Sequence, residues 1–280
     1  LRRRQRQMCI RDRGIKVLPA ICVRTYGKGD LEVADYPLEI LYPTEVLIRV
    51  RKALLTPLDL RIISGEITPK TSSPYVLSSI ALGVVVDKGV NVSNSIMGKH
   101  VIVGPECRNK LFTYDVKGLA RTYASVNVNC IKVLPGKPLK SELLVTPLLY
   151  RIINVLSLIR KNAVIKLDSC LFGLVQQLLS VLNMQYRILG EHILEIICSN
   201  GREERITVNI GFDYREDFSS DNTRNISCLR NTSFDSSFLK YLNKVKLHEF
   251  IIEMNADDID NLSLDFLMKE LNRKFVVIIL

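Results

Sequence analysis

Between Pro74 and Pro105 the chain reads PYVLSSIALGVVVDKGVNVSNSIMGKHVIVGP, and this stretch narrows the choice of fold more than any other. Val84 to Val86 is a β-branched run, Asp87 to Gly89 supplies turn chemistry, Val90-Asn91-Val92 alternates briefly, and Gly98-Lys99 precedes a second run from Val101 to Val103. Short valine-rich strands joined by tight links suit a compact β-barrel.

The flanks extend the pattern. Ala20 to Val23 reads as a short strand, Tyr26 to Asp30 as a turn and Leu31 to Val33 as a second strand, and Val46 to Ala53 alternates like a half-buried strand. Leu54 to Glu66 then reads as a loop, Glu106 to Lys117 as a polar excursion, and Gly118 to Val126 and Cys130 to Pro135 as the closing strands.

This wording resembles the GroES-like catalytic domain of the medium-chain dehydrogenases and reductases, the superfamily of zinc alcohol dehydrogenases and quinone oxidoreductases. There the central stretch reads P-x-V-L-G-H-E-x-x-G-V-V, the opening strand P-x-x-x-E-V-L-V-R-V-x-A, and the closing strands G-x-x-A-x-Y-x-x-V and x-x-x-K-L-P. In zinc-dependent members the loop after the opening strand is G-I-C-G-T-D-L-H, and its cysteine falls on Thr56. The histidine of G-H-E falls on Ser79, and the third ligand on Thr146, before Pro147. Zinc takes thiolate, imidazole or carboxylate, and neutral hydroxyls are poor substitutes. The resemblance therefore implies no zinc, and the loop wording Thr56-Pro57-Leu58-Asp59-Leu60-Arg61-Ile62 is nearer the zinc-free quinone oxidoreductases. Thr56 is the expected hydrogen-bond donor to a substrate oxygen. Asp59 has two readings, a catalytic carboxylate or a cap on backbone amides.

From residue 146 the period changes. Thr146 is expected as the N-cap of a helix with Pro147 first inside it, and Leu148, Leu149, Ile152, Ile153, Leu156 and Ile159 form its apolar stripe. A strand Ala163 to Leu167, a helix Leu174 to Asn183 and a strand Tyr186 to Leu189 make a βαβ opening. The expected fold class is thus α/β, a GroES-like β-barrel over 14–145 followed by a partial Rossmann-type domain over 146–280.

A dinucleotide-binding turn would carry G-x-G-x-x-G. Here those places hold Asp168, Cys170 and Gly173, so the cofactor-contacting segment would be Ser169, Cys170, Leu171, Phe172 and Gly173, with Glu191 placed to accept the ribose hydroxyls. Asp168 brings a charge of the wrong sign and Cys170 a side chain where a pyrophosphate would approach, so NAD(P) binding is expected to be weak or absent. Further on, Ile193 to Cys198 and Arg205 to Ile210 read as a hairpin about Asn200-Gly201, Asp217 to Asp235 as a loop or lid, and Phe238 to Val245 as a short helix. Glu249 to Met254, Leu264 to Leu271 and Phe275 to Leu280 read as strand, helix and strand. Family members normally continue with further strands and a C-terminal segment that returns to the barrel, so the resemblance implies either a natural shortening here or a chain cut at residue 280.

The net charge of +10 would suggest nucleic acid, but Leu1 to Arg13 holds six arginines against one aspartate and so carries half of it. Met8 to Arg13 looks like read-through of a sequencing adapter, and residues 1–13 are set aside as a tail without fold or function. The longest apolar runs are strand-sized, so no membrane span is expected. Seven scattered cysteines without a C-x-x-C pair read as reduced thiols in the cytoplasm. Two functions follow: a zinc-independent, NAD(P)-dependent oxidoreductase acting on a small carbonyl, alcohol or quinone substrate, or a non-catalytic relative serving as a binding or assembly subunit. The resemblance also implies a homodimer through edge strands of the second domain, with no nucleic acid or membrane as partner.

Overall fold

The structure, a computed structural model, describes residues 20–136, 140–159, 162–198, 206–212, 217–220, 223–230, 244–271 and 273–280. The arginine-rich tail, the turn at Asn200-Gly201 and nearly all of the expected helix at 238–245 lie outside them.

The first region contains β1 (Ile21–Thr25), β2 (Glu32–Asp35), β3 (Glu45–Leu55), α1 (Pro57–Ile63), β4 (Tyr75–Val76), β5 (Ile80–Lys88), β6 (His100–Val103), β7 (Glu106–Cys107), β8 (Lys110–Leu111), β9 (Tyr123–Asn127) and β10 (Ile131–Val133). The long strand β3 is its spine. It alternates because Val46, Ile48 and Val50 face the barrel interior, while the residues between them are partly exposed. β5 pairs antiparallel along almost its whole length, and β6 and β10 follow in order. The expected strands are present, except that the strand expected from Gly118 begins only at Tyr123, and with two further differences. Val90 to Val92 is turn rather than strand, because β5 runs on to Lys88 and the amides of Gly89 and Asn91 bond back to Glu45 and Pro43. Part of the expected loop after β3 is the helix α1.

The second region contains α2 (Thr146–Leu158), β11 (Ala163–Leu167), α3 (Ser169–Val181), β12 (Gln185–Gly190), β13 (Ile193–Ile197), β14 (Ile206–Gly211), β15 (Asp217–Ser220) and β16 (Thr223–Ser227), and then β17 (Ile251–Asn255), α4 (Leu264–Leu271) and β18 (Phe275–Ile279). Thr146 is the first residue of α2 and not its cap; Val145 takes that place after a single-turn 3₁₀ segment. With that segment, Ser141–Leu158 is long and apolar enough to cross a membrane by length and composition, which corrects the reading of strand-sized runs alone. Its apolar side is in the core: Leu144, Leu148, Leu149, Ile152 and Leu156 are fully buried.

Three parallel strands, β11, β14 and β16, form the heart of the second sheet, whose order is β12-β13-β11-β14-β16-β15. The expected hairpin between 193–198 and 205–210 is not formed. β13 pairs antiparallel with β12 and with β11, whereas β14 lies on the other side of β11 and parallel to it. The second strand of the βαβ reading is therefore separated from the first by an antiparallel strand. Residues 217–220 and 223–227, expected in a loop, are an antiparallel edge pair.

α2 and α3 share one core with Ile165, Leu194, Ile196, Val208 and Ile210 on one face of this sheet. The other face carries Arg187, Lys166, Thr207, Asn209 and Asn225, all exposed or half-exposed.

β17 and β18 leave the second sheet altogether. They pair parallel with each other, and β18 pairs antiparallel with Lys52 to Leu55 of β3. The segment returning to the barrel thus lies within the chain, and the barrel sheet includes residues assigned by sequence to 146–280.

Two features pin the excursion after β6. Arg230, just past β16, donates to Glu106 Oε1 (2.9 Å), to the Asn109 carbonyl (3.1 Å) and to Asp115 Oδ2 (3.2 Å), and Asp115 also holds Lys70 at 2.8 Å. Cys107 and Cys130, with Cα atoms 5.2 Å apart, are joined as a disulfide. The expectation of reduced thiols throughout fails at this pair, because the barrel closure brings β7 beside the turn into β10.

Candidate functional site

α1 explains the polar centre of the barrel. Thr56 is its N-cap, Pro57 its first residue and Asp59 its third, so threonine and aspartate form a capping box. The Thr56 amide and hydroxyl donate to Asp59 Oδ2 at 2.8 and 3.0 Å, and the Ser78 amide donates to Asp59 Oδ1 at 2.7 Å. One carboxylate thus ties the end of β3 to the chain entering β5. Thr56 and Asp59 are fully buried, and burial pushes the Asp59 carboxyl up to about 6 despite the three hydrogen bonds that favour its charged form. Of the two readings of Asp59, the cap on backbone amides is the one the geometry fills.

Ser79 and Thr146 are buried too, and among the described residues neither hydroxyl has a hydrogen-bond partner. The places that carry metal ligands in zinc-dependent relatives therefore hold three neutral hydroxyls, one already donating to Asp59. That donor set does not fit a zinc ion. Among the described residues no cluster of three or more histidine, cysteine, aspartate or glutamate side chains is present either.

At the second expected site, Asp168 is the N-cap of α3, but its carboxylate caps no amide of that helix. It reaches across to β14, where Oδ2 accepts from the Phe212 amide at 2.9 Å, while its own amide donates to the Ile210 carbonyl. Asp168 thus joins the carboxyl ends of β11 and β14. Cys170 and Leu171 are buried in the core, and burial, with Asp168 adding to it, holds the Cys170 thiol well above its ordinary range. Ser169 and Phe172 are half-exposed, and the Phe172 ring meets His192 edge-on at 5.6 Å. Gly173 is a packing glycine, as expected, but its neighbour is not a strand: a Cβ there would lie 2.9 Å from the Phe250 ring. Glu191 stands exposed on the two-residue turn between β12 and β13, one strand farther from β11 than in a regular βαβ unit. Pyrophosphate does not fit a turn that opens on a carboxylate and is flanked by Phe172 and His192.

Sequence reasoning missed the open part of this region. A cleft of about 350 Å³ lies where α1 faces the carboxyl ends of β11, β14 and β16, lined by Arg61, Lys166, Asp168, Asn209, Phe212 and Asn225 among others. A signal existed in Lys166, the one charge in the apolar run Ala163-Val164-Ile165-Lys166-Leu167, and in Arg61 two residues past Asp59.

The comparisons with known proteins agree with this architecture. Residues 42–135 match the alcohol dehydrogenase GroES-like domain family. The matched domain is the barrel region, and over nearly the whole chain the fold is similar to that of dehydrogenases whose structures are solved. Its fold is similar to that of an oxidoreductase/dehydrogenase of unknown specificity from Escherichia coli, at 12% identity over 94% of this chain and 99% of that one, with a TM-score of 0.65. It is similar also to 2R,3R-butanediol dehydrogenase from Bacillus subtilis (16% identity, 93% and 99% covered, TM-score 0.63). A third is a putative zinc-binding dehydrogenase from Sinorhizobium meliloti bound to NADP (12% identity, 94% and 100% covered, TM-score 0.62). At such identities the likeness is one of fold. No curated protein matches the sequence.

Proposed function

We propose that this chain is a zinc-free relative of the medium-chain dehydrogenases that serves as a ligand-binding subunit, with the hydride chemistry of its relatives no longer assembled. The observation that carries this reading is the sealed state of Thr56, Asp59, Ser79 and Thr146, none of which is more than 1% exposed. The Thr56 hydroxyl donates to Asp59, so it is not offered to a substrate oxygen. The turn at Asp168 supports the same reading, since a carboxylate some 6 Å from a phosphate costs roughly 2–3 kcal/mol at an effective dielectric near 20.

The second reading, an NAD(P)-dependent oxidoreductase acting on a small carbonyl, alcohol or quinone, is favoured by the NADP held by the Sinorhizobium meliloti relative. In that reading Thr56 and Asp59 are catalytic, and Ser169 to Gly173 with Glu191 hold the cofactor. Either way the protein belongs in the cytoplasm as a homodimer built through edge strands of the second sheet, with small molecules rather than nucleic acid or membrane as its partners.

Calorimetric titration with NADH and NADPH, beside metal analysis of zinc-saturated, washed protein, separates the two readings. The binding-subunit reading expects no micromolar dinucleotide affinity and well under one zinc per chain. Micromolar binding with hydride transfer to any carbonyl or quinone overturns it.

A further inference from the structure

Polar groups in the cleft between α1 and the second sheet have bonding capacity that the protein does not use. Arg61 and Lys166 reach it from different domains, and among the described residues neither cation has an ion-pair or hydrogen-bond partner for its side chain. Asp168, the carboxylate in the wall, is already engaged by the Phe212 amide. Asn209 donates its Nδ2 to Asn225 Oδ1 at 2.6 Å, which fixes its orientation and leaves Asn209 Oδ1 buried with no donor among the described residues. The buried unpaired acceptor is costly to leave without a donor, and the two cations, at least partly open to solvent, are free to meet an anion. The crevice at the carboxyl ends of parallel strands, where successive connections depart to opposite sides, is also where open α/β sheets take ligands. Here that point falls between β11 and β14, because the chain leaves β11 for β12 and β13 on one side and comes back to β14 on the other.

We propose that this cleft binds a small organic anion carrying its own hydrogen-bond donor, a hydroxy-carboxylate or the phosphate monoester of a short polyol. The anionic end answers Arg61 and Lys166, and the hydroxyl donates to Asn209 Oδ1. Leu167, Ile210, Phe212 and Ile226 complete the lining. At about 350 Å³ the space stands at the low end of the 300–1,000 Å³ usual for ligand pockets, which suits such a molecule and not a dinucleotide. Arg61 sits on the barrel and Lys166 on the second sheet, so one anion would bridge the two domains. The proposal rests on the ligand-binding reading above and names its ligand class.

The test is calorimetric titration of the full chain with D-glycerate and with sn-glycerol 3-phosphate, which separate carboxylate from phosphate, and with propionate, which lacks the hydroxyl. At least one of the first two is expected to bind saturably, with affinity falling as salt is raised. That binding should weaken about tenfold or more in Arg61→Gln and in Lys166→Gln, and recover in part in Arg61→Lys and Lys166→Arg. Propionate should bind several-fold more weakly than glycerate. Unchanged melting temperatures in the variants would confirm that they fold. The proposal is overturned if neither probe saturates, or if binding is indifferent to both Gln substitutions. Hydride transfer with NADPH would overturn the binding-subunit reading but leave the anion result to be judged on its own arms.

Discussion

Two polar regions lie two residues apart, on opposite faces of α1, and have opposite characters. At Asp59 both carboxylate oxygens accept from donors of the chain's own fold, the group is fully buried, and the hydrogen bonds join β3 to the approach of β5. At Arg61, two residues on, the guanidinium faces the cleft with Lys166 and Asn209 and no partner among the described residues. A buried polar group whose bonds are all satisfied is part of the scaffold, and one at a cleft whose bonds are unsatisfied is available to a ligand. In this chain the polar residues at the start of α1 hold the barrel together, and unsatisfied polar groups lie at the cleft.

Substitutions can break or sharpen that contrast. The largest effect is expected from Asp59→Ala, which leaves the buried amides of Thr56 and Ser78 without an acceptor and should cost about 3–4 kcal/mol, read from urea unfolding. Next is pH. The Asp59 carboxyl sits near 6 in the fold against an ordinary 3.8, so the folded chain holds that proton more tightly than the unfolded one. Its contribution to stability is complete below about pH 4 and is lost as pH rises through 6, worth about 2–3 kcal/mol. Glu39, Asp115 and Glu253 are shifted downward and act in the opposite sense, so the clean readout is the stability difference between the wild type and Asp59→Asn. That difference should fall between pH 4 and 7, and a flat difference would contradict the buried titration.

A smaller effect is expected at the Arg230 contact. A double-mutant cycle of Arg230→Ala with Asp115→Ala should give a coupling of about 1–2 kcal/mol, since the bond is charge-assisted and only partly exposed. A coupling near zero would mean that Arg230 does not tie the second sheet to the barrel excursion. The smallest belongs to Arg61→Gln, which should change stability by less than about 0.5 kcal/mol. A larger loss would place Arg61 with Asp59 as scaffold and erase the contrast.

Much of the barrel was legible because local patterns decide it. β3, β6 and β10 follow from alternation and valine runs, and the matched family covers this part of the chain. α1 was legible in principle: Thr56-Pro57-Leu58-Asp59 is a capping box with proline at the first position, although the same residues also resemble a family loop. In the second region the elements were found but their neighbours were not. β12 and β13 turn on Glu191-His192, with His192 at φ +59°, and nothing in those two residue types announces a hairpin as Asn-Gly would. Choosing between parallel and antiparallel neighbours for β11 depends on which side of the sheet the chain returns to, and strand composition does not record that. The cleft was invisible for the same reason, since Arg61, Lys166, Asn209 and Asn225 become neighbours only once β14 and β16 have taken their places.

The return of β18 to β3 also sets an order in time. Lys52 to Leu55 are synthesised early, yet their partners on that side are Val276 to Ile279, the last described strand to be made. Domains generally assemble from the N-terminus as the chain emerges, at about 5–20 residues per second. For the whole interval in which the second sheet is translated, the barrel carries an apolar strand edge with open backbone donors and acceptors, the kind of surface that recruits other chains. The nascent protein is therefore most exposed to mispairing just when its barrel is otherwise complete, and a free peptide matching Phe275 to Ile279 would compete for the position that the chain reserves for itself.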